Sequence, residues 1–106
     1  MDTFATNTWQ LADTPNTPPE VLAELAKNRA NIVRWRVAQN YSTPPEALVE
    51  LATDEDLLVR VEVARNPSTP PVALRILATD KSTGIQGLAM KNQNCPMGLK
   101  VEYILS

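Results

Sequence analysis

Few residues in this chain could carry chemistry, and their spacing narrows what that chemistry could be. Asp54, Glu55 and Asp56 form an acidic run of the kind that serves hydrolysis or holds a divalent cation. Its counterparts one period away are Asn28-Arg29-Ala30 and Asp80-Lys81-Ser82, so the run reads as one turn of a varying loop. Cys95 is the only cysteine; at a helix start a thiolate is favoured. With no histidine and no second cysteine, nothing is present to make it a nucleophile or a redox device, so it reads as filling a structural slot. Arg34 and Arg60 recur at one position, with Asn28 and Asp54 six residues earlier. That pattern suits a basic stripe for phosphates or a structural Asp–Arg ladder. A helical step of about 100° per residue puts Arg60 between Val63 and Ala64 on the apolar face, where a charge must be paired. Gln86 in the third copy favours the ladder, with Arg34, Arg60, Asp54 and Asp80 as structural residues. No catalytic constellation, metal site or cofactor is expected, and the chain reads as a non-enzyme.

The elements that must position these residues come from a repeat. Thr17, Thr43 and Thr69 each precede a Pro-Pro pair at a constant spacing of 26 residues. Leu22/Leu48/Leu74, Leu25/Leu51/Leu77 and Ala26/Ala52/Ala78 keep that period. So do Val33/Val59/Ile85, Ala38/Ala64 and Asn40/Asn66/Asn92. A fixed period of this size signals a solenoid, in which each unit buries its apolar face on its neighbours.

Each unit reads as two helices. Helix A is expected to start from the threonine as N-cap, with the prolines in the first turn and Glu20 or Glu46 at N3 completing a capping box. Helix B is less plain, because Val59-Arg60-Val61-Glu62-Val63 alternates like a strand. The positions apolar in every full copy are Val33/Val37/Ala38, Val59/Val63/Ala64 and Ile85/Ala89/Met90, which make one helical face. Helix is therefore favoured, short or partly 3-10 because β-branched residues form helices indifferently. Asn40, Asn66 and Asn92 end helix B, where asparagine tolerates a left-handed C-cap.

The fold expected is an all-α solenoid of about three helix pairs, one repeat domain over 1–106. Its parts are a partial repeat at 1–16, repeats at 17–42, 43–68 and 69–94, and a C-terminal cap at 95–106. In the cap, Lys100 falls on the leucine column, so a helix over Leu99–Leu105 is expected in shifted register. The net charge of −2 supplies no bulk drive toward nucleic acid or anionic membrane. The start, Met1-Asp2-Thr3-Phe4, is acidic without a following apolar core, and no apolar run is long enough to span a bilayer. A cytoplasmic protein is expected.

Thr43-Pro44-Pro45-Glu46-Ala47-Leu48, Val59-Arg60 and Val63-Ala64-Arg65-Asn66-Pro67-Ser68-Thr69-Pro70-Pro71 together resemble the variant leucine-rich repeat family. The resemblance spans roughly residues 8 to 95. It implies a right-handed α–α superhelix related to HEAT and armadillo repeats, and a general binding role. Some proteins of this type carry a cysteine-rich iron–sulfur segment ahead of the repeats; one cysteine cannot hold such a cluster. In related solenoids the B helices line the concave face. That places Trp35, Arg36, Gln39, Val61, Glu62, Arg65, Leu88 and Lys91 in a groove, with Trp9 in the Trp35 column. The two tryptophans suit a binding anchor, and equally the packing of a repeat that lacks a neighbour. The mix suits an acidic or amphipathic peptide, or a surface with no selected partner. The expected function is thus a protein- or peptide-binding module with an unidentified partner. A nucleic-acid module using Arg29, Arg34, Arg36, Arg60 and Arg65 is the alternative. Val72 and Ile76 replace glutamates of the earlier copies and form a second apolar stripe, to be covered by the C-terminal segment or by a second copy in a homodimer.

Overall fold

The computed structural model describes residues 8–105; the acidic N-terminus discussed above, Asn7 and Ser106 lie outside the described residues. Among the described residues eight helices follow one another and there are no strands: α1 Thr8–Asp13, α2 Pro19–Leu25, α3 Asn31–Gln39, α4 Pro45–Leu51, α5 Leu57–Arg65, α6 Pro71–Leu77, α7 Thr83–Lys91 and α8 Met97–Leu105. Helices α2, α4 and α6 are the A helices, and α1, α3, α5 and α7 the B helices. They form two rows in a body of 55 × 22 × 15 Å, and neighbouring B helices pack on one another more extensively than neighbouring A helices.

The core is the repeat written in three dimensions. Leu22, Leu48 and Leu74 are fully buried, as are Val37, Val63 and Ala89 on the B row. The alternating segments Val33–Val37 and Val59–Val63 are α-helical throughout, nine-residue helices with no 3-10 segment. Alternation lost to the i, i+4, i+5 pattern, whose apolar residues are the ones buried in each full B helix.

The start of helix A differs from the expectation. The second proline of each pair is N1, and the first is the N-cap, with ψ of 144°, 151° and 159° at Pro18, Pro44 and Pro70. A residue before proline is held extended by clash with the proline ring, so the pair itself sets where the helix begins. The threonine then lies one residue too early to cap, no side chain caps helix A, and the capping box with Glu20 or Glu46 does not form. Instead the buried threonine hydroxyl donates to a carbonyl in the last turn of the preceding B helix: Thr17 to Leu11, Thr43 to Val37 and Thr69 to Val63, at 2.6–2.7 Å. It satisfies a helix C-terminus, not an N-terminus.

The asparagine column differs too. Asn40, Asn66 and Asn92 occupy the C-cap, but in extended conformation, and no described non-glycine residue has positive φ. Their side chains cross to the previous repeat. Asn66 Nδ2 donates to Ala38 O at 2.8 Å and Asn40 O at 3.1 Å, while its Oδ1 accepts from Ser68 N. Asn40 and Asn92 make the equivalent bonds. A buried amide that uses both donors and its acceptor is a stitch between units, and the extended backbone aims it there.

Helix α8 breaks the repeat. Cys95 is buried in the threonine slot and Leu99 packs on the core, yet no residue of α8 is itself buried. Tyr103 lies over Gly87, its hydroxyl 3.9 Å from where a Cβ would stand. The glycine, in the column of Trp35 and Val61, makes the room. The cover expected over Val72 is not supplied by α8: Val72 remains 58% exposed, while Ile76 is half-buried against the core.

Candidate protein-binding face

The arginine column builds a ladder that joins adjacent repeats. Arg34 Nε and Nη2 donate to Asp54 at 2.7 and 3.1 Å, and Arg60 Nε and Nη2 donate to Asp80 at 2.8 and 3.4 Å. The Nη1 atoms turn the other way, to Asn28 O and Asp54 O in their own repeats. Each arginine thus pairs with the aspartate twenty residues later, not with the residue six before it, whose backbone carbonyl it takes instead. The hydrogen bond from Arg34 to Asp54 raises the arginine's pKa further. Gln86 keeps the carbonyl half of the rung, donating to Asp80 O at 2.6 Å.

Two of the three carboxylates of the acidic run, Asp54 and Asp56, are spent on folding, while the Glu55 side chain is exposed. Asp54 takes Arg34 and the Asp56 N–H, and Asp56 caps α5 through the Leu58 N–H while accepting from Asn31 Nδ2 at 2.6 Å. Those two contacts, the Asn31 amide first, hold the Asp56 carboxyl below its ordinary value. Among the described residues no group of three histidine, cysteine, aspartate or glutamate side chains converges to hold a metal ion.

Away from the ladder, the B helices present their outward columns. At the N-terminal end, Arg36 lies over both tryptophan rings, 5.2 Å from Trp9 and 5.4 Å from Trp35, and pairs with Asp13 at 3.2 Å. The predicted Trp9, Trp35 and Arg36 are thus brought together as one stack, which fixes three otherwise mobile side chains. Trp35 and Val61 each also pack against the core. Trp35 also walls an apolar hollow with Ile32 and Leu58, both exposed.

The rest of the predicted set gathers around a residue the sequence reading passed over, Tyr41. It is 69% exposed and borders three successive hollows along the B-helix C-termini. One holds Asp13 and Gln39, the next Gln39, Glu62 and Arg65, the third Arg65, Leu88 and Lys91. The hollows therefore join the predicted residues into a trough crossing three repeats. A signal for Tyr41 was present: its column runs Pro15, Tyr41, Pro67, Gln93, one place beyond the asparagine stitch, and only one copy carries an aromatic ring. Ile32 and Leu58 could have been found as an apolar column off the buried face.

The repeat unit, with its helices and inter-repeat bonds now placed, can be set beside known families. Residues 57–82 match the model of the leucine rich repeat variant family. The matched stretch is one period long and runs from α5 through α6 to Ser82, so the match begins at a B helix. It contains the Arg60–Asp80 rung, the Asn66 stitch and the Thr69-Pro70-Pro71 helix start. No curated protein and no solved structure shows a significant match to the chain. No described helix is long and apolar enough to cross a membrane.

Proposed function

We propose that this repeat module binds a protein or peptide segment along the outward face of its B helices, and that it does so without catalysis. The trough around Tyr41 carries the reading: it crosses three repeats, the asparagine stitches form part of its lining, and the side chains of Gln39, Tyr41, Glu62, Arg65, Leu88 and Lys91 that also line it come from columns that vary between copies and take no part in those stitches. A face running across successive repeats suits an elongated ligand. The stacked Trp9, Arg36 and Trp35 offer a rigid aromatic anchor at one end, since large amphipathic rings dominate binding energies at interfaces.

The alternative, a nucleic-acid module, is weaker on physical grounds. Arg34 and Arg60 have their guanidinium groups buried against Asp54 and Asp80, and Arg36 is stacked and paired. Of the five arginines that reading would use, only Arg29 and Arg65 remain, too sparse for the phosphate contacts that duplex binding uses. Self-association through exposed Val72 is a separate proposal; Val72→Glu should shift the sedimentation of a dimer and leave that of a monomer unchanged.

The test is a selection of displayed random-sequence peptides on the purified chain, followed by titration of the isotope-labelled protein with the enriched peptides. Backbone shift changes confined to α3, α5, α7 and Tyr41, abolished by Trp35→Ala with Tyr41→Ala, are expected. Enriched peptides that perturb the A row instead, or no enrichment at all, would refute the reading.

A further inference from the structure

The third hollow of the trough differs in charge from the other two. Arg65 and Lys91 line it together with Tyr41, Pro67, Leu88 and Gln93, and no carboxylate does. The second hollow contains Glu62, and the first contains Asp13. Among the described residues neither Arg65 nor Lys91 forms an ion pair, and both side chains are exposed. The ion pairs that do form, from Arg34, Arg36 and Arg60, all lie elsewhere. Two free cations therefore face one aromatic-walled hollow, in the same column of successive repeats.

The repeat spacing says what could meet both. Packed helices stand about 8–10 Å apart, so Arg65 and Lys91 are separated by roughly that step. In a polyproline II segment, side chains three residues apart point the same way and lie about 9 Å apart along the axis. An extended peptide with acidic residues at i and i+3 thus meets the two cations in register. The ring of Tyr41, with Pro67 and Leu88, gives the residues between them an apolar wall, which is how extended proline-rich segments dock on aromatic surfaces. Glu62 repels acidic residues from the middle hollow and so sets where the acidic part of the peptide must lie.

We infer that the hollow walled by Tyr41, Arg65, Leu88 and Lys91 recognises an acidic peptide segment in extended, polyproline-like conformation, with carboxylates three residues apart. This rests on the peptide-binding reading above and goes further by naming the chemistry and spacing of the ligand.

The probes are synthetic fluorescein-labelled peptides of repeating Asp-Pro-Pro, the same peptide with lysine for aspartate, and one with the second aspartate moved by one residue. Binding is followed by anisotropy on the full chain, with shift mapping in parallel. The Asp-Pro-Pro peptide should bind at the Tyr41 hollow. Its affinity should fall about tenfold for Arg65→Glu or Lys91→Glu, and by more for the pair, because charge-assisted contacts become repulsive. Raising salt from about 0.05 M to about 0.5 M should also weaken it. Both positions are exposed, and circular dichroism checks that the variants fold. Equal binding of the lysine peptide or of the moved-aspartate peptide at the same place would overturn the inference while leaving the peptide-binding reading standing. So would indifference to charge reversal. If selected peptides perturb no B-helix residue, that wider reading fails with it. Tighter binding of a single-stranded oligonucleotide through Arg65 and Lys91 would also overturn the inference.

Discussion

The Arg60–Asp80 rung is the sharpest place to test how the repeats are joined, because the chain supplies its own controls. The two side chains are 8% and 7% exposed, so each charge is held out of water by the other. Replacing Arg60 by Gln, the residue at the same place in the third copy, keeps a donor for the Asp54 carbonyl as Gln86 does for Asp80. It leaves Asp80 buried with only the Ser82 N–H on its carboxylate. Removing one partner of a buried pair costs about 3–5 kcal/mol, a large part of the roughly 5–15 kcal/mol that holds a domain together. The retained carbonyl contact and backbone bond put the expected loss near the lower end, about 3 kcal/mol, or roughly 10–20 °C in Tm. Asp80→Asn alone strands the guanidinium and should cost a similar amount. Asn28 shows that asparagine can hold this turn, its Oδ1 accepting from the Ala30 N–H at 2.9 Å with Thr8 rather than arginine in the arginine column. The double variant Arg60→Gln/Asp80→Asn therefore replaces a charged rung by residues the protein uses at its own ends. It should recover most of the loss, giving a coupling energy of about 2–4 kcal/mol in a double-mutant cycle. Urea unfolding followed by tryptophan fluorescence and by circular dichroism supplies the numbers; both probes are needed because repeat arrays can unfold in parts. Single variants within about 1 kcal/mol of wild type, or losses that simply add, would show that the rung is not a coupled pair and refute the reasoning.

Three further outcomes follow from the same bonds. Asn66→Ala should cost about 3 kcal/mol in urea unfolding, since it leaves the Ala38 carbonyl and the Ser68 N–H without partners and the Asn40 carbonyl with only the Thr43 N–H, and Asn66→Asp should cost at least as much by facing a carboxylate toward the Ala38 and Asn40 carbonyls. Gly84→Ala should stabilise by about 0.5–1 kcal/mol, because the nearest atom to the new Cβ is Ser82 Oγ at 3.6 Å; Gly87→Trp, which restores the tryptophan column, should displace Tyr103 and speed amide exchange in α8. Asp56 titrates lower folded than unfolded, so its contribution is present above the ordinary carboxylate value near about 4 and is lost as pH falls toward its folded value. Asn31→Ala removes the largest cause, and a carbon-detected titration should find the Asp56 midpoint moved upward; an unmoved midpoint would contradict the assignment.

Legibility in the sequence followed the range of the interaction. Thr17/Thr43/Thr69, the proline pairs, the leucines and the Val33/Val37/Ala38 face were readable because helix period and proline geometry are local. The same reading misjudged those threonines as N-caps, since the proline pair starts the helix later and turns the hydroxyl back to the previous helix. It identified Arg34 and Arg60 as structural but not their partners, because Asp54 and Asp80 belong to the following repeat. Of the candidate face, Arg36, Arg65 and Lys91 were legible as outward columns, and Trp9 and Trp35 as a column at the edge of the buried face. Tyr41 was not, because a loop residue lies on no helical face and its one signal is an aromatic ring in a column of Pro15, Pro67 and Gln93.

By itself the sequence determined that the chain is a helical repeat of fixed period and which apolar residues point inward. Those are consequences of backbone sterics and hydrophobic spacing that hold within a single unit. Only the tertiary structure decided which unit each polar side chain serves. Stacking brings Asp80 to Arg60, the Ala38 carbonyl to Asn66, and Arg65 and Lys91 to the hollow beside Tyr41. None of these pairs has a local reason to meet. They meet because burying the leucine and valine faces leaves one way to stack the units, and the stack then sets which polar groups are left to be satisfied and which remain open to a ligand.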